Sequence, residues 1–537
     1  MKTNKKSVLL RNLFICAVLL GSSLLAFRIM SPYFKVSFLI VDEAFYAEVA
    51  NQMIDGDFFY RNNKPPGIYF IYSGIFLLFG KNNIYAMHVS AFISLILTGL
   101  CLYFLVSYLK NRFAGTLSAI TYMLLPSFSI SPSNFYAANT EIFMMLPFTL
   151  SILFFIKAGE KKSYLFISGI LCAVSLLFKQ QGLLLIPFFT AFIFLNHFSL
   201  KTDILTWKLK KLVYIICGVL AVFIPVVLLF WHKGAFRDFF YNVFWVNRLY
   251  FGNISFITGL IRGYLKIKNT YFNYIILIHT AVLIQIIRFA ADLLKDKPIS
   301  SDRLNINLFW ILWTGVSLVN ISIGWRFSGH YYYMFFPVMA GLFAVLWSDI
   351  VLFFINIKQW YKKIPVAISL ISSVALMCFS ILYPLCAYTG FPPGDKFYIT
   401  YMEGADPIGR LIKKTAYYIT AHTNPSDRLF VWGYCPEIYI LSGRRCATRY
   451  VHCNFLVGDV DPYRHGPRYD RIKQRHWQEL FDDFSNTMPV YIIDISPTDY
   501  IKFGSNPINS MPIMKKFLDE HYYIEKRIGQ IVLYRLK

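Results

Sequence analysis

Charge is scarce in this chain of 537 residues, and acid is scarcest: Asp and Glu number 29 against 53 Lys and Arg, with charged residues at only 15% of the total. So little charge beside 56% hydrophobic residues excludes an ordinary soluble domain and a disordered chain alike. No internal repeat and no low-complexity tract is present, which sets aside solenoids. No glycine-rich loop of phosphate-binding spacing occurs, which argues against a nucleotide-driven pump. Histidine is sparse, and none stands at zinc-like spacing from Cys435, Cys446 and Cys453. A metal is therefore not expected there, while the spacing permits one disulfide. The other six cysteines lie in or at the edge of apolar runs and read as packing residues.

What the sequence does have is length of apolar run. Stretches such as "LVYIICGVLAVFIPVVLLFW" (212–231) and "IPVAISLISSVALMCFSILYPLCAY" (364–388) are each long enough to cross a hydrocarbon core. Spans are expected near 10–31, 84–109, 113–131, 140–157, 163–178, 180–196, 211–231, 270–290, 305–323, 331–355 and 364–388, about eleven in all. "MKTNKK" before the first run reads as the start of an uncleaved span. The run "GIYFIYSGIFLLFG" (67–80) is short for a crossing, and if it does not cross, the basic loops "KNR", "KAGEKK" and "KQWYKK" all fall inside. The excess of basic residues is thus a topology signal, not a nucleic-acid signal. On this count the chain lies in the cytoplasmic membrane as a multi-pass protein, with its polar motifs outside.

Composition shifts after residue 389. "FPPGDKF" reads as a linker, "RLFVWG", "PVYIIDIS" and "QIVLYRL" as strands, and "EIYILSG" as helix. The expected architecture is a polytopic α-helical membrane domain, 1–388, with a large first external loop at 31–83, followed by a soluble extracytoplasmic α/β domain, 389–537.

Within the first loop, "DEAFYAEVANQMIDG" sets Phe45, Val49 and Met53 on one helical stripe and ends on Gly56, the pattern of an amphipathic helix on the membrane surface. Asp42 and Glu43 open it. Asp42 has two readings, an N-cap or a functional carboxylate. In "KPPG", Pro65 and Pro66 hold Lys64 in extended chain, where a lysine either snorkels to water or meets a phosphate. Glu141 follows "NFYAANT", in which Asn139 or Thr140 can cap the next helix and Glu141 suits its dipole. "FKQQG" places Lys179 between two spans, and "GWRFSGHYYY" places Arg326 and His330 on the same face. Lys64, Lys179 and Arg326 together suit an anionic lipid head group.

The ordered set "DEAFYAEVANQM…NNKPPGIYF", "NFYAANTEIF", "LLFKQQG", "GWRFSGHYYYMFFP" and "VWGYCPEIYILSGRRCATRY" resembles the bacterial lipid-linked-sugar glycosyltransferases of the protein-mannosyltransferase and aminoarabinose-transferase type, the GT-C class. The likeness runs over the whole chain, and the acidic pair followed by Lys-Pro-Pro is its most specific part. It implies transfer of a sugar, with inversion, from a polyprenyl-phosphate-linked donor to a hydroxyl of an envelope glycan, lipid or protein acceptor on the outer face. By that resemblance the catalytic residues are Asp42 as general base, Glu43 beside it, and Glu141 as a second acidic residue that orients the acceptor, while Lys64, Lys179, Arg326 and His330 are ligands of the donor phosphate. Aminoarabinose transferases commonly carry an arginine three residues after the aspartate, and here that position is Phe45, which favours the broader relatives. A divalent cation near Asp42 is compatible with the acidic pair, and nothing in the sequence demands one. The matches Asp55-Gly56-Asp57 and Asp459-Val460-Asp461 are too short to carry meaning. The competing reading, a lipid or glycolipid transporter, calls for inverted repeats or broken helices in matching halves, and neither is visible.

Overall fold

The computed structural model describes residues 5–58, 62–128, 133–195, 202–246, 255–270, 282–288, 301–325, 327–357, 364, 407–458 and 467–537. It is mostly helical, and its described residues hold six helices long and apolar enough to cross a membrane: Lys6–Lys35, Ile84–Leu109, Thr140–Ala158, Ile204–His232, Asn305–Trp325 and Phe336–Asn356. Shorter apolar helices run over Gly67–Phe79, Lys162–Phe178 and Gln180–Leu195. The chain is a multi-pass membrane protein. Of the expected spans, nearly all of 364–388 and most of 270–290 lie outside the described residues, as does the linker "FPPGDKF".

The chain divides into two compact units. One takes Met1–Lys35, His88–Val226 and Ile254–Asp395, and the other Val36–Met87, Val227–Asn253 and Lys396–Lys537. In the first, the helices Thr140–Ala158 and Lys162–Phe178 form a tight antiparallel pair. Their seam is laced by serines: Ser151 Oγ donates to Ser168 O at 2.7 Å, and Ser168 Oγ to Ser151 O at 2.9 Å. Short polar side chains bonded to backbone in this way let helices approach closely where no water is available. Phe336–Asn356 packs on Arg112–Leu124, and Asn111 joins them by capping the latter through Ala114 N while donating to Ser348 Oγ.

The second unit is built on a five-stranded sheet. Its strands are β1 (Arg428–Trp432), β2 (Arg445–Cys446), β3 (Tyr491–Asp494), β4 (Tyr522–Ile528) and β5 (Ile531–Leu536), in the order β2-β1-β3-β5-β4. β1 pairs in parallel with both β2 and β3, while β5 runs antiparallel to β3 and β4. The three strands expected from sequence are β1, β3 and β5, and "EIYILSG" is the helix Glu437–Ser442. One face of the sheet closes over Phe430, Trp432, Leu480, Phe484, Ile492 and Leu518, among other buried residues. Cys435, Cys446 and Cys453 are all buried free thiols, so the disulfide that their spacing permits does not form.

One expectation is overturned in this unit. The helix Val41–Ile54 does not lie on a surface with one apolar face, for every residue from Glu43 to Met53 is buried. It packs on Gly67–Phe79 and on Glu437–Ser442. Glu48 and Gln52 bond to the edge of the sheet. Cys446 N donates to Glu48 Oε1 at 2.8 Å, Arg445 lies 3.5 Å from Glu48 Oε2 and 3.0 Å from Asp55, and Gln52 donates to Thr448 O at 3.2 Å. A sheet edge exposes unpaired amides, and here a loop helix covers one. Burial pushes the Glu48 carboxyl up to about 7, against the pull of Arg445. Gly56, at φ +95°, ends the helix in the left-handed region as the sequence predicts.

Candidate active site

The two adjacent carboxylates of the first loop part company in the fold. Ile40 is the N-cap and its side chain makes no capping bond. Glu43 reaches back past it: Leu39 N, just ahead of the N-cap, donates to Glu43 Oε2 at 2.6 Å, and the side chain is fully buried. A glutamate at the third helical position reaching back across the first turn resembles one half of a capping box. Asp42 does not cap. Its side chain remains 23% exposed, with Lys64 Nζ, equally exposed, 3.7 Å from Oδ2.

Three groups orient that pair. Tyr434 Oη donates to Asp42 Oδ1 at 2.8 Å, and Tyr46 Oη reaches Oδ2 over a longer 3.4 Å. Lys64 arrives from a turn that Asn62 holds, since Asn62 Oδ1 accepts from Lys64 N at 3.3 Å and from Tyr69 Oη at 2.8 Å. Pro66 then caps the helix Gly67–Phe79, as a residue with fixed φ can. Around the carboxylate stand Phe45, Tyr434 and His452, with the Tyr434 and His452 rings 4.7 Å apart and the Phe45 and His452 rings 5.2 Å apart. Burial holds the His452 imidazole neutral, down to about 4, although the Asp42 charge opposes this. Glu437 is pushed up to about 7, chiefly by burial, with a further contribution from Asp42.

A second cluster occupies the other unit. Asn139 caps the helix Thr140–Ala158 by accepting from Thr140 N at 2.7 Å, one of the two caps expected. Glu141 is fully buried in its first turn, where Thr140 Oγ1 donates to Oε2 at 2.8 Å and Lys179 Nζ donates to Oε1. His330 Nε2 lies 3.9 Å from the same Oε1, and Lys179 Nζ sits 3.6 Å over the Tyr331 ring. Lys179 reaches this point because the helix Lys162–Phe178 stops there: its backbone is extended and the chain doubles back in a 3-10 turn over Gln180–Leu184. Gly182 makes the turn feasible, since a Cβ there would fall 2.4 Å from Leu176 N.

Among the sequence candidates, then, Asp42 and Lys64 meet in one unit and Glu141, Lys179 and His330 in the other. Arg326 lies outside the described residues. Tyr434 and His452 were not singled out from the sequence. Tyr434 belongs to the quoted stretch "VWGYCPEIY", but nothing local to that stretch ties it to a residue 392 positions away. Glu43 Oε2 accepts from Leu39 N, while Asp42 faces the Lys64 ammonium. Among the described residues no group of three His, Cys, Asp or Glu gathers in the manner of a metal site. Asp55, of the first Asp-Gly-Asp match, is bound to Lys81 and Arg445, and Asp459 and Asp461 lie outside the described residues.

Residues 63–231, a stretch that opens at the Lys64 turn and takes in Glu141 and Lys179, match the family described as dolichyl-phosphate-mannose-protein mannosyltransferase. No curated protein matches the chain. Among solved structures the chain is similar to ArnT from Cupriavidus metallidurans bound to undecaprenyl phosphate, with TM-score 0.56 and 15% identity over 97% of both chains. It is also similar to the archaeal oligosaccharyltransferase AglB from Archaeoglobus fulgidus in complex with an inhibitory peptide and a dolichol-phosphate, with TM-score 0.54 and 11% identity over 98% of this chain and 74% of that one. At such identities the likeness is one of fold.

Proposed function

We propose that this chain, a membrane glycosyltransferase of the GT-C fold, moves a sugar with inversion from a polyprenyl-phosphate donor to a hydroxyl of an envelope glycan, lipid or protein on the outer face of the cytoplasmic membrane. The observation that carries the reading is the division of labour between Asp42 and Glu43. Two neighbouring acids open one helix; the buried one binds the chain that enters the helix, and the partly exposed one is kept beside a lysine. A carboxylate that stays 23% exposed and is held in orientation beside a cation is what a general base requires.

In the proposed step Asp42 takes the proton of the acceptor hydroxyl as that oxygen attacks the anomeric carbon. The bond from the anomeric carbon to the phosphate oxygen breaks, and the electron pair leaves on the lipid phosphate. Lys64, Lys179, His330 and Arg326 serve that leaving phosphate, whose charge grows through the transition state. Glu141 acts on the phosphate ligands by fixing Lys179. The lipid phosphates bound by ArnT and AglB support a donor of this class.

The test is sugar transfer by proteoliposomes or by membranes of a deletion strain, comparing wild type with Asp42→Asn at matched protein levels and reading envelope glycans by mass spectrometry. Wild type should restore a hexose- or pentose-sized increment, and the variant should lower its rate by about 10²- to 10⁴-fold. Full restoration by the variant would remove Asp42 from the chemistry. A lipid-linked sugar that changes leaflet without any new glycosidic bond would make the protein a transporter.

A further inference from the structure

Tyr434 stands at a special place in the sheet. β1 lies between β2 and β3, both parallel to it, so the connection after β1 leads to one side and the later return to β3 leads to the other. Sheets of this kind place functional groups outside the carboxyl end of the strand where the order reverses. The chain leaves β1 there through Gly433, at φ +140°, whose carbonyl accepts from Cys453 N at 3.0 Å. The next residue is Tyr434. Its ring is held by edge contacts with His452 at 4.7 Å and Phe45 at 6.4 Å, so its hydroxyl has a set position when it donates to Asp42 Oδ1.

We infer that Tyr434 is a positioning residue for the base: the C-terminal domain donates to Asp42 Oδ1 through this hydroxyl and thereby fixes the orientation of the carboxylate, whose Oδ2 faces Lys64 and Tyr46. The inference rests on the reading of Asp42 as base. It makes the C-terminal domain a working part of the transfer site. Among the described residues, the groups that face or act on Asp42 include Lys64, Tyr46, Glu43 and Tyr72 from the first loop and Tyr434, His452 and Glu437 from the C-terminal domain. Tyr434 donates to Oδ1 at 2.8 Å, against 3.4 Å for Tyr46 to Oδ2. A donor to an ionised carboxylate stabilises the ionised form, so its loss raises the pH at which the base becomes active.

Tyr434→Phe keeps the ring and its packing and removes only the hydroxyl. In the full chain in proteoliposomes it should lower kcat by about 10- to 100-fold, leave KM for the lipid donor in place, and move the acid limb of the kcat profile to higher pH. An unmoved acid limb with wild-type kcat overturns the inference, and so does a fall in rate matched by loss of folded protein while the limb stays put. Asp42→Asn, run alongside, separates the two ideas. If that variant transfers sugar at the wild-type rate, the base reading fails; if it is inactive while Tyr434→Phe behaves as wild type, the base reading stands and only the positioning role is lost.

Discussion

Asp42 with Lys64 and Glu141 with Lys179 are both carboxylate–ammonium pairs, but the first is 23% exposed on each side while the second is 0% and 6% exposed. Burial changes what a pair is for. In a dry site neither charge is tolerable without the other, so the Glu141 pair is bound into its surroundings, with Thr140, His330 and the Tyr331 ring completing it. The Asp42 pair adds little to stability in a partly wet setting. What it offers instead is a carboxylate and an ammonium that are both partly exposed, as the proposed base and phosphate ligand need to be.

The comparison can be broken most sharply at Lys179. Lys179→Met strands the buried Glu141 carboxylate and should cost about 3–5 kcal/mol, read as thermal unfolding of the detergent-solubilised chain. Glu141→Gln added to it should recover much of that loss without recovering transfer. Were Lys179→Met as stable as wild type, the pair would not be a closed structural unit.

Next in size is a pH effect beside Asp42. The folded Glu437 value, about 7, lies above the unfolded 4.5, so the stability it contributes is present below pH 4.5 and is lost as pH rises through 7. Glu437→Gln should leave stability unchanged at pH 4 and raise it by about 1–3 kcal/mol at pH 8. A wild-type and variant pair with parallel stability curves from pH 4 to 8 would refute this. His452 works in the opposite sense: its folded value, about 4, is below the usual 6.5, so its contribution is present above pH 6.5 and lost as pH falls through 4.

Lys64→Met tests the exposed half of the comparison. It should reduce transfer by about 10- to 100-fold through the leaving phosphate while shifting stability by less than about 1 kcal/mol. A large loss of stability with transfer intact per folded molecule would make Lys64 a structural residue and not a phosphate ligand. The smallest effect is expected at Glu43, where Glu43→Gln weakens a first-turn bond and should cost about 1 kcal/mol. Transfer per folded molecule should stay at the wild-type rate, and a drop as deep as that of Asp42→Asn would reverse the roles given to the two acids.

Much of this was legible from sequence for reasons of scale. A run of twenty apolar residues has few fates, which is why the helices Ile84–Leu109, Thr140–Ala158 and Phe336–Asn356 were readable to within a residue or a few. Buried strands such as β1 and β3 announce themselves by β-branched and aromatic runs. β2 is only two residues long, and β4, "YYIEKRI", is an exposed, charged edge strand, so neither carried that signal. Asn139 as cap, Gly56 as terminator and Lys179 between two helices were local facts, set by neighbours within a few residues.

Composition and local pattern by themselves determined that the chain crosses a membrane repeatedly, that a small α/β region follows, and which acids and bases deserved notice. Only the tertiary structure decided which of Asp42 and Glu43 is spent on the helix, because both stand in one first turn and the choice depends on how the chain enters it. It alone buried the loop helix Val41–Ile54, which reads as amphipathic until Glu48 meets an amide and a guanidinium about 400 residues further on. Sequence patterns report what a segment prefers among its near neighbours. Partners separated by most of the chain are chosen by packing, and packing is what brought Tyr434 to Asp42.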